Sequence, residues 1–305
     1  MKGFLKLKVK GKIYLVLFLV FTLLFVADFK VRSSLKEEKV LGTKESFESS
    51  EYPVLKKTFV PEITAKGAVI MDADSKVVLY SKNSDLRFSS ASTAKIMTAL
   101  TALDFFKLDD FLTVQNPRVE GVTLGLKSGQ KITFENLLYG LLLPSANDTA
   151  FIIAQNFTSE KEFVNKMNQN ARKFNLINTH YEDPAGLEDD GDYTTPLDLA
   201  RLSSLAIKNE TFAKIVATKE KVIVDSEGNE YALKNLNKLL GENVTGIKTG
   251  TTTGAGQVLV ISKKEGDHTI IIVVMGSSDR FLDTKILMNM VSDNISYLPI
   301  RSQLH

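Results

Sequence analysis

The sequence predicts an α/β fold of the α+β kind: one antiparallel sheet flanked by helices, with an all-helical lobe inserted between its strands. Three observations carry this. Short apolar runs bounded by turn residues gather towards both ends of the chain, the stretch between them carries apolar residues at helical spacing, and no internal repeat divides it. Gly67–Asp72 and Val77–Tyr80 are two such runs joined by Ala73–Lys76, a hairpin pattern. A helix is expected from Ser92 through Phe106. Thr133 can cap the next, which carries Leu137, Leu138, Leu141 and Leu142. Ser159 and Glu162 form a capping box ahead of Phe163, Val164, Met167 and Phe174. Thr195-Pro196-Leu197-Asp198 opens a further helix with proline in the first turn. Strands return at Val222–Val224, Val258–Ser262 and Thr269–Met275, the last two joined through Glu265-Gly266-Asp267, and a final helix covers Leu282–Val291. The junction between sheet and lobe is a natural cleft.

Composition removes several classes of function. With 305 residues, 44% hydrophobic and 24% charged, the chain can bury a full core, which excludes wholesale disorder, collagen and coiled coil. No cysteine means no disulfide, no thiol nucleophile and no Cys-held zinc. The three histidines, His180, His268 and His305, are scattered and make no metal-binding pair, so no metal and no cofactor are expected. The net charge is +2, yet Lys2, Lys6, Lys8, Lys10 and Lys12 outweigh it, so the rest of the chain is net negative. The basic balance is local, and a nucleic-acid partner is not expected.

Those lysines precede the apolar run Ile13–Ala27, broken only by Thr22 and ended by Asp28, the pattern of a signal peptide or signal anchor over residues 1–29. Lysine on one side puts the N-terminus in the cytoplasm and the remainder outside. Phe25 stands where a signal peptidase wants a small residue, which favours retention as a membrane anchor. Residues 30–58 are polar and rich in Glu, Lys and Ser and read as a tether. The folded domain is expected over 59–298, with 299–305 as a tail.

Three short motifs fall at predicted element boundaries. In Ser92-Thr93-Ala94-Lys95 a helix-start serine and a lysine three residues on share one helix face. A hydroxyl is a weak nucleophile that needs a base, and a lysine amine serves once burial or a neighbouring cation lowers its pKa. Ser33-Ser34-Leu35-Lys36 repeats that spacing in the tether, so spacing alone is not specific. Ser145-Ala146-Asn147 offers a hydroxyl and an amide for proton relay and substrate binding, or simply a helix cap. Lys248-Thr249-Gly250, followed by Thr251 and Thr252, offers a cation, hydroxyl donors and a position for close backbone approach, or simply a turn.

Taken together and in this order, SxxK, SxN and KTG are the signature set of penicillin-binding proteins and class A β-lactamases. The surrounding segments Phe88–Leu100, Leu137–Asp148, Phe163–Asn168, Tyr193–Ala200 and Gly246–Thr252 resemble the D-alanyl-D-alanine carboxypeptidases, the low-molecular-weight penicillin-binding serine peptidases, over about residues 60 to 295. The resemblance implies a β-lactamase/transpeptidase-like fold and an enzyme that removes the terminal D-Ala from peptidoglycan stem peptides through an acyl-enzyme on Ser92. It implies Lys95 as general base, its pKa lowered by Lys248 and partial burial, and Ser145 with Asn147 in proton relay and substrate holding. The amides of Ser92 and Thr251 would form the oxyanion hole. Lys248, Thr249, Gly250 and Thr251 would hold the terminal carboxylate, and Arg280 resembles a family arginine that assists. β-Lactams are expected to acylate Ser92. Two positions depart from the family pattern: Ala185 in Pro184-Ala185-Gly186-Leu187, where histidine is frequent, and Ala146 in place of glycine. Many members add a C-terminal β-rich domain and an amphipathic membrane helix; here the N-terminal segment is expected to supply attachment. The alternatives are a DD-endopeptidase of the same fold, a class A-like β-lactamase with Glu182 activating water, and a wall-binding module without turnover.

Overall fold

The computed structural model describes residues 51–299, other than 119, 188–190 and 242. The segment read as a signal peptide or anchor, the tether up to residue 50 and the tail beyond Pro299 lie outside the described residues. The sequence boundary at 59 is set too late, because Tyr52–Leu55 already forms a strand, β1. It pairs antiparallel with the last strand, β11 (Ile295–Leu298), from Tyr52↔Leu298 to Leu55↔Ile295. Four residues between charged neighbours carry too short a pattern to be read as a strand without their distant partner.

The central sheet has five antiparallel strands in the order β3-β2-β10-β9-β8. They are β2 (Gly67–Asp72), β3 (Val78–Lys82), β8 (Val244–Thr252), β9 (Gly256–Glu265) and β10 (His268–Ser277). Side chains alternate across a strand, so a strand covered on both faces reads as an unbroken apolar run. In β10, Ile271, Val273 and Met275 pack into the larger core with the helical lobe, while Ile270, Ile272 and Val274 join a second core on the opposite face. β2 and β9 divide in the same way, through Val69 and Met71 against Ala68 and Ile70, and through Val258 and Val260 against Leu259 and Ile261. The second core is closed by Leu287, Met290 and Val291 of α7 (Arg280–Val291). Each such fully buried side chain contributes about 1.5–3 kcal/mol.

The lobe comprises α1 (Ala94–Leu103), α2 (Phe134–Leu142), α3 (Asn147–Gln155), α4 (Glu160–Lys173), α5 (Pro196–Ala206) and α6 (Glu210–Val216). The expected caps form. The Thr133, Ser159 and Thr195 hydroxyls accept from the amides of Asn136, Glu162 and Asp198 at 3.3, 3.1 and 3.1 Å. Contrary to the sequence reading, the lobe is not all-helical. It carries two two-stranded sheets, β4–β5 (Phe111–Thr113, Lys131–Thr133) and β6–β7 (Glu220–Val224, Glu230–Lys234). Val222–Val224 therefore belongs to a separate hairpin and not to the central sheet. Hairpins this short lean on neighbouring helices for stability, so their sequence pattern is weak.

Candidate active site

The cleft lies between the end strand β8 and the lobe. It encloses about 320 Å³ and is lined by Ser92, Ser145, Asn147, Thr249, Gly250, Thr251 and Arg280, among others. All three motifs therefore converge. Ser92 sits in a tight 3-10 turn, Ala91–Thr93, ahead of α1, so the helix proper starts two residues later than the sequence reading placed it. Ala91 is held at φ +46°, an uncommon value for a residue with a Cβ. Gly186 explains how the turn is fixed: a Cβ there would lie 1.9 Å from the Ala91 carbonyl oxygen. On the other side a Cβ at Gly250 would come within 3.4 Å of the Ser92 amide nitrogen, so β8 runs directly past the serine.

Lys95, one helical turn on, is 0% exposed, and its Nζ lies 3.0 Å from Ser92 Oγ. Its two other polar neighbours are Asn147 Oδ1 and the Ala185 carbonyl, both at 2.8 Å. Burial pulls its pKa down to about 7, against an opposing pull from the carboxylates of Asp183, Asp148 and Asp192. Burial is thus the main cause, and it is complete where the sequence suggested it would be partial. Burial first and then the charges of Lys95 and Arg280 hold the Lys248 amine well below its usual value, and the repulsion between the two lysines is mutual. A neutral amine has two N–H donors and one lone pair. Two carbonyl oxygens take the donors, which leaves the lone pair for the Ser92 hydroxyl.

Asn147 is itself fixed from three sides. Its Nδ2 donates to the Glu120 carbonyl at 2.8 Å, its backbone amide donates to the Val122 carbonyl at 2.7 Å, and its Oδ1 accepts from Lys95. Asp148, buried next to it, accepts from the Leu124, Gly125 and Thr149 amides at 2.9–3.1 Å and so ties that segment to α3. Ser145 stands at φ +65° with its hydroxyl buried in the cleft wall and free of any protein hydrogen bond. That makes it available to a bound molecule.

Lys248, Thr249, Gly250 and Thr251 lie within β8, not in a turn before it as the sequence suggested. Small and hydroxylated residues look like a loop, but here they form the sheet edge that faces the cleft. Lys248 is 2% exposed and donates to the Thr249 carbonyl at 3.0 Å. Arg280, at the start of α7, donates through Nη1 to the Gly250 carbonyl at 2.9 Å and to Thr251 Oγ1 at 2.8 Å. It therefore belongs to the cleft. Arg280, Thr249 and Thr251 line the cleft, and the Lys248 amine is close enough to feel the Arg280 charge, an arrangement that suits an anion. Glu182, by contrast, is turned to His180, with Nε2 and Oε1 2.8 Å apart and both side chains substantially exposed. Sequence reasoning passed over Asp148, Asp183 and the carbonyl of Ala185. Pro184-Ala185-Gly186-Leu187 stood out only as a departure from the family pattern, with no role for Asp183 or for the backbone.

A sheet-and-lobe molecule of this kind matches solved structures of DD-peptidases. The Streptomyces K15 DD-transpeptidase superposes with a TM-score of 0.72 at 33% identity, covering 76% of this chain and 98% of that one. A putative penicillin-binding protein homologue from Mycobacterium tuberculosis gives 0.73 at 28% identity, covering 77% and 93%. The chain belongs to the peptidase S11 family, D-alanyl-D-alanine carboxypeptidase, whose model matches residues 55–279. Among curated relatives, the D-alanyl-D-alanine carboxypeptidase DacF of Bacillus subtilis is 35% identical over 224 residues, which are 70% of this chain and 58% of the relative. The D-alanyl-D-alanine carboxypeptidase of Streptomyces sp. strain K15 is 34% identical over 254 residues, covering 75% and 87%.

Proposed function

We propose that the chain is a serine-type D-Ala-D-Ala carboxypeptidase acting on peptidoglycan stem peptides. The observation that carries this reading is the buried Lys95 amine, with its Nζ 3.0 Å from Ser92 Oγ and held by two further oxygens, beside a cleft that Arg280 lines. Ser92 Oγ bonds to the carbonyl carbon of the penultimate D-Ala while its proton passes to Lys95. The developing oxyanion is met by the Ser92 and Thr251 amides; donors of this kind are worth about 2.7–4 kcal/mol each. The bond to the terminal D-Ala then breaks, and Ser145 relays a proton from Lys95 to the departing amine. Water attacks the ester and gives up a proton to Lys95, which passes it to Ser92 Oγ as the ester bond breaks. The free carboxylate is bound by Lys248, Thr249, Thr251 and Arg280. Penicillins enter the same path as acylating mimics. The position of Glu182 on His180 argues against the β-lactamase alternative.

Delivery to the wall rests on the N-terminal segment. Among the described residues no helix is long and apolar enough to cross a membrane. We place the attachment in the basic and apolar run of residues 2–27, with the domain outside the cytoplasm.

Labelled penicillin should give one adduct, on Ser92, and a pentapeptide ending in D-Ala-D-Ala should lose one D-Ala. Ser92→Ala and Lys95→Ala should each lower both by about 10³-fold or more. An adduct elsewhere, or none, removes the assignment. Faster cleavage of a cross-linked dimer than of the pentapeptide reassigns the enzyme as an endopeptidase.

A further inference from the structure

The loop that follows α4 supplies one of the two carbonyls that orient Lys95, and a single carboxylate organises that loop. Asp183 Oδ1 accepts from the amides of Ala185, at 2.5 Å, and Gly186, at 2.8 Å, and its Oδ2 accepts from Leu187 at 2.8 Å. Three successive N–H groups thus converge on one side chain that is 7% exposed. The peptide planes of this stretch are fixed by that convergence, and the Ala185 carbonyl is left pointing at Lys95 Nζ. The loop is pinned again by Thr98 of α1, whose hydroxyl donates to the Pro184 carbonyl at 2.6 Å. Gly186 seats the same loop on the carbonyl of Ala91, next to Ser92. One carboxylate therefore governs a loop that touches both the nucleophile's turn and the base.

We propose that Asp183 is a positioning residue for proton transfer, aiming the Lys95 lone pair at Ser92 through the Ala185 carbonyl. If that carbonyl turns away, the amine is free to rotate, and its lone pair no longer points at the hydroxyl. Asparagine takes over the role only in part: its oxygen can accept from Ala185 and Gly186, but its amide group puts a donor against the Leu187 N–H. The inference rests on Ser92 and Lys95 acting as nucleophile and base. The charges around Lys95 are Asp148 from α3, Asp183 and Asp192 from the loop before α5, and Lys248 from β8. Of these, Asp183 favours the protonated amine, so its neutralisation has a second signature. Asp192 lies behind Asp183, accepts from the Glu182 amide at 2.6 Å, and has its own carboxyl pushed up to about 8 by burial and by Asp183. It is the control, because its side chain takes none of the three amides that Asp183 gathers.

The test is the pH dependence of acylation of the full chain by a chromogenic cephalosporin, with the dissociation constant of the initial complex measured separately. Asp183→Asn should lower the high-pH plateau of the acylation rate by about 10–100-fold, a range typical of a mis-set acid-base group. It should also move the acid limb down by about one pH unit while the initial dissociation constant stays within twofold. Asp192→Asn should keep the plateau within twofold of the wild-type value, any effect of the lost charge falling on the limb alone. A wild-type plateau and limb in Asp183→Asn overturn the proposal, and so does an equal loss in both variants with the limb unmoved, which marks general loosening. If Asp183→Asn does not fold, Thr98→Val releases the same loop without touching a carboxylate. It should lower the plateau several-fold at an unchanged limb, and an unchanged plateau overturns the proposal. Absence of acylation in the wild-type chain instead removes the functional assignment and leaves the loop geometry standing.

Discussion

A lysine taken wholly out of water is costly as a cation, and Lys95 meets that cost by giving up its proton near neutrality. Its contacts are neutral oxygens: a hydroxyl, an amide and a peptide carbonyl. Three carboxylates stand further off and keep its pKa from falling lower. The base is thus poised where a general base works best, close to the operating pH. Since only the neutral amine can accept the Ser92 proton, acylation should rise with pH up to a midpoint near 7, about tenfold per unit well below it, and then level off. Stopped-flow acylation between pH 5 and 9 checks this, and a flat profile contradicts the assigned base. The Ser92–Lys95 pairing was legible because helical periodicity alone brings residues three apart together. The Ala185 carbonyl was not. A backbone oxygen delivered by a loop far along the chain leaves no mark on residue type, which is also why the Ala185 departure from the family pattern is harmless to this contact.

At the scale of elements, the legible features were those with a local physical cause. Thr133, Ser159 and Thr195 were read as caps because a side-chain oxygen next to an apolar period satisfies a free helix amide, and each does so here. β8 was misread because its end-strand position and its pairing with β9 are tertiary facts, while Lys-Thr-Gly-Thr-Thr is low in the apolar alternation that marks a strand. Ser92 and Thr93 were read as helix for a related reason: the close packing of their 3-10 turn against Gly186 is a tertiary contact that their own residue types do not announce. Gly186 stands at φ +77°, so a side chain there is both strained in its backbone and in collision with the Ala91 carbonyl. Gly186→Ala should therefore lower stability by about 2 kcal/mol or more and cut acylation disproportionately, because the residue that must move carries Ser92 on its next peptide. Thermal melting alongside the acylation rate checks this. Full stability with full activity would show that the turn is held by something else.

Across the whole molecule, the sheet separates two cores, and the active site lies at the rim of only one of them. Ser92, Lys95 and Ser145 come from the lobe side, Lys248 to Thr251 from the sheet edge and Arg280 from α7, which also closes the second core. The β1–β11 pair lies outside the five-stranded sheet and closes the domain by joining its first strand to its last. Pro53 of β1 is buried, and Leu55, Ile295 and Tyr297 pack on the second core, so the pair adds apolar contact to its backbone ladder and to the side-chain bonds that continue it, such as the Lys57 amide to Asn294 Oδ1 at 3.0 Å. A fragment that begins at Phe59, the boundary the sequence suggests, loses this ladder and leaves β11 as an unpaired strand. A net loss of about 2 kcal/mol from a few hydrogen bonds lowers the melting temperature by roughly 4–8 °C in a domain of this size. An exposed strand edge also invites association between copies. The penicillin acylation rate should nevertheless match that of a fragment beginning at Glu51, because no group of the cleft is carried by β1. Melting curves and acylation rates of the two fragments, compared side by side, decide it. Equal melting temperatures would mean that β11 holds its place without a partner, and a lower acylation rate would mean that the closing pair transmits strain to the cleft.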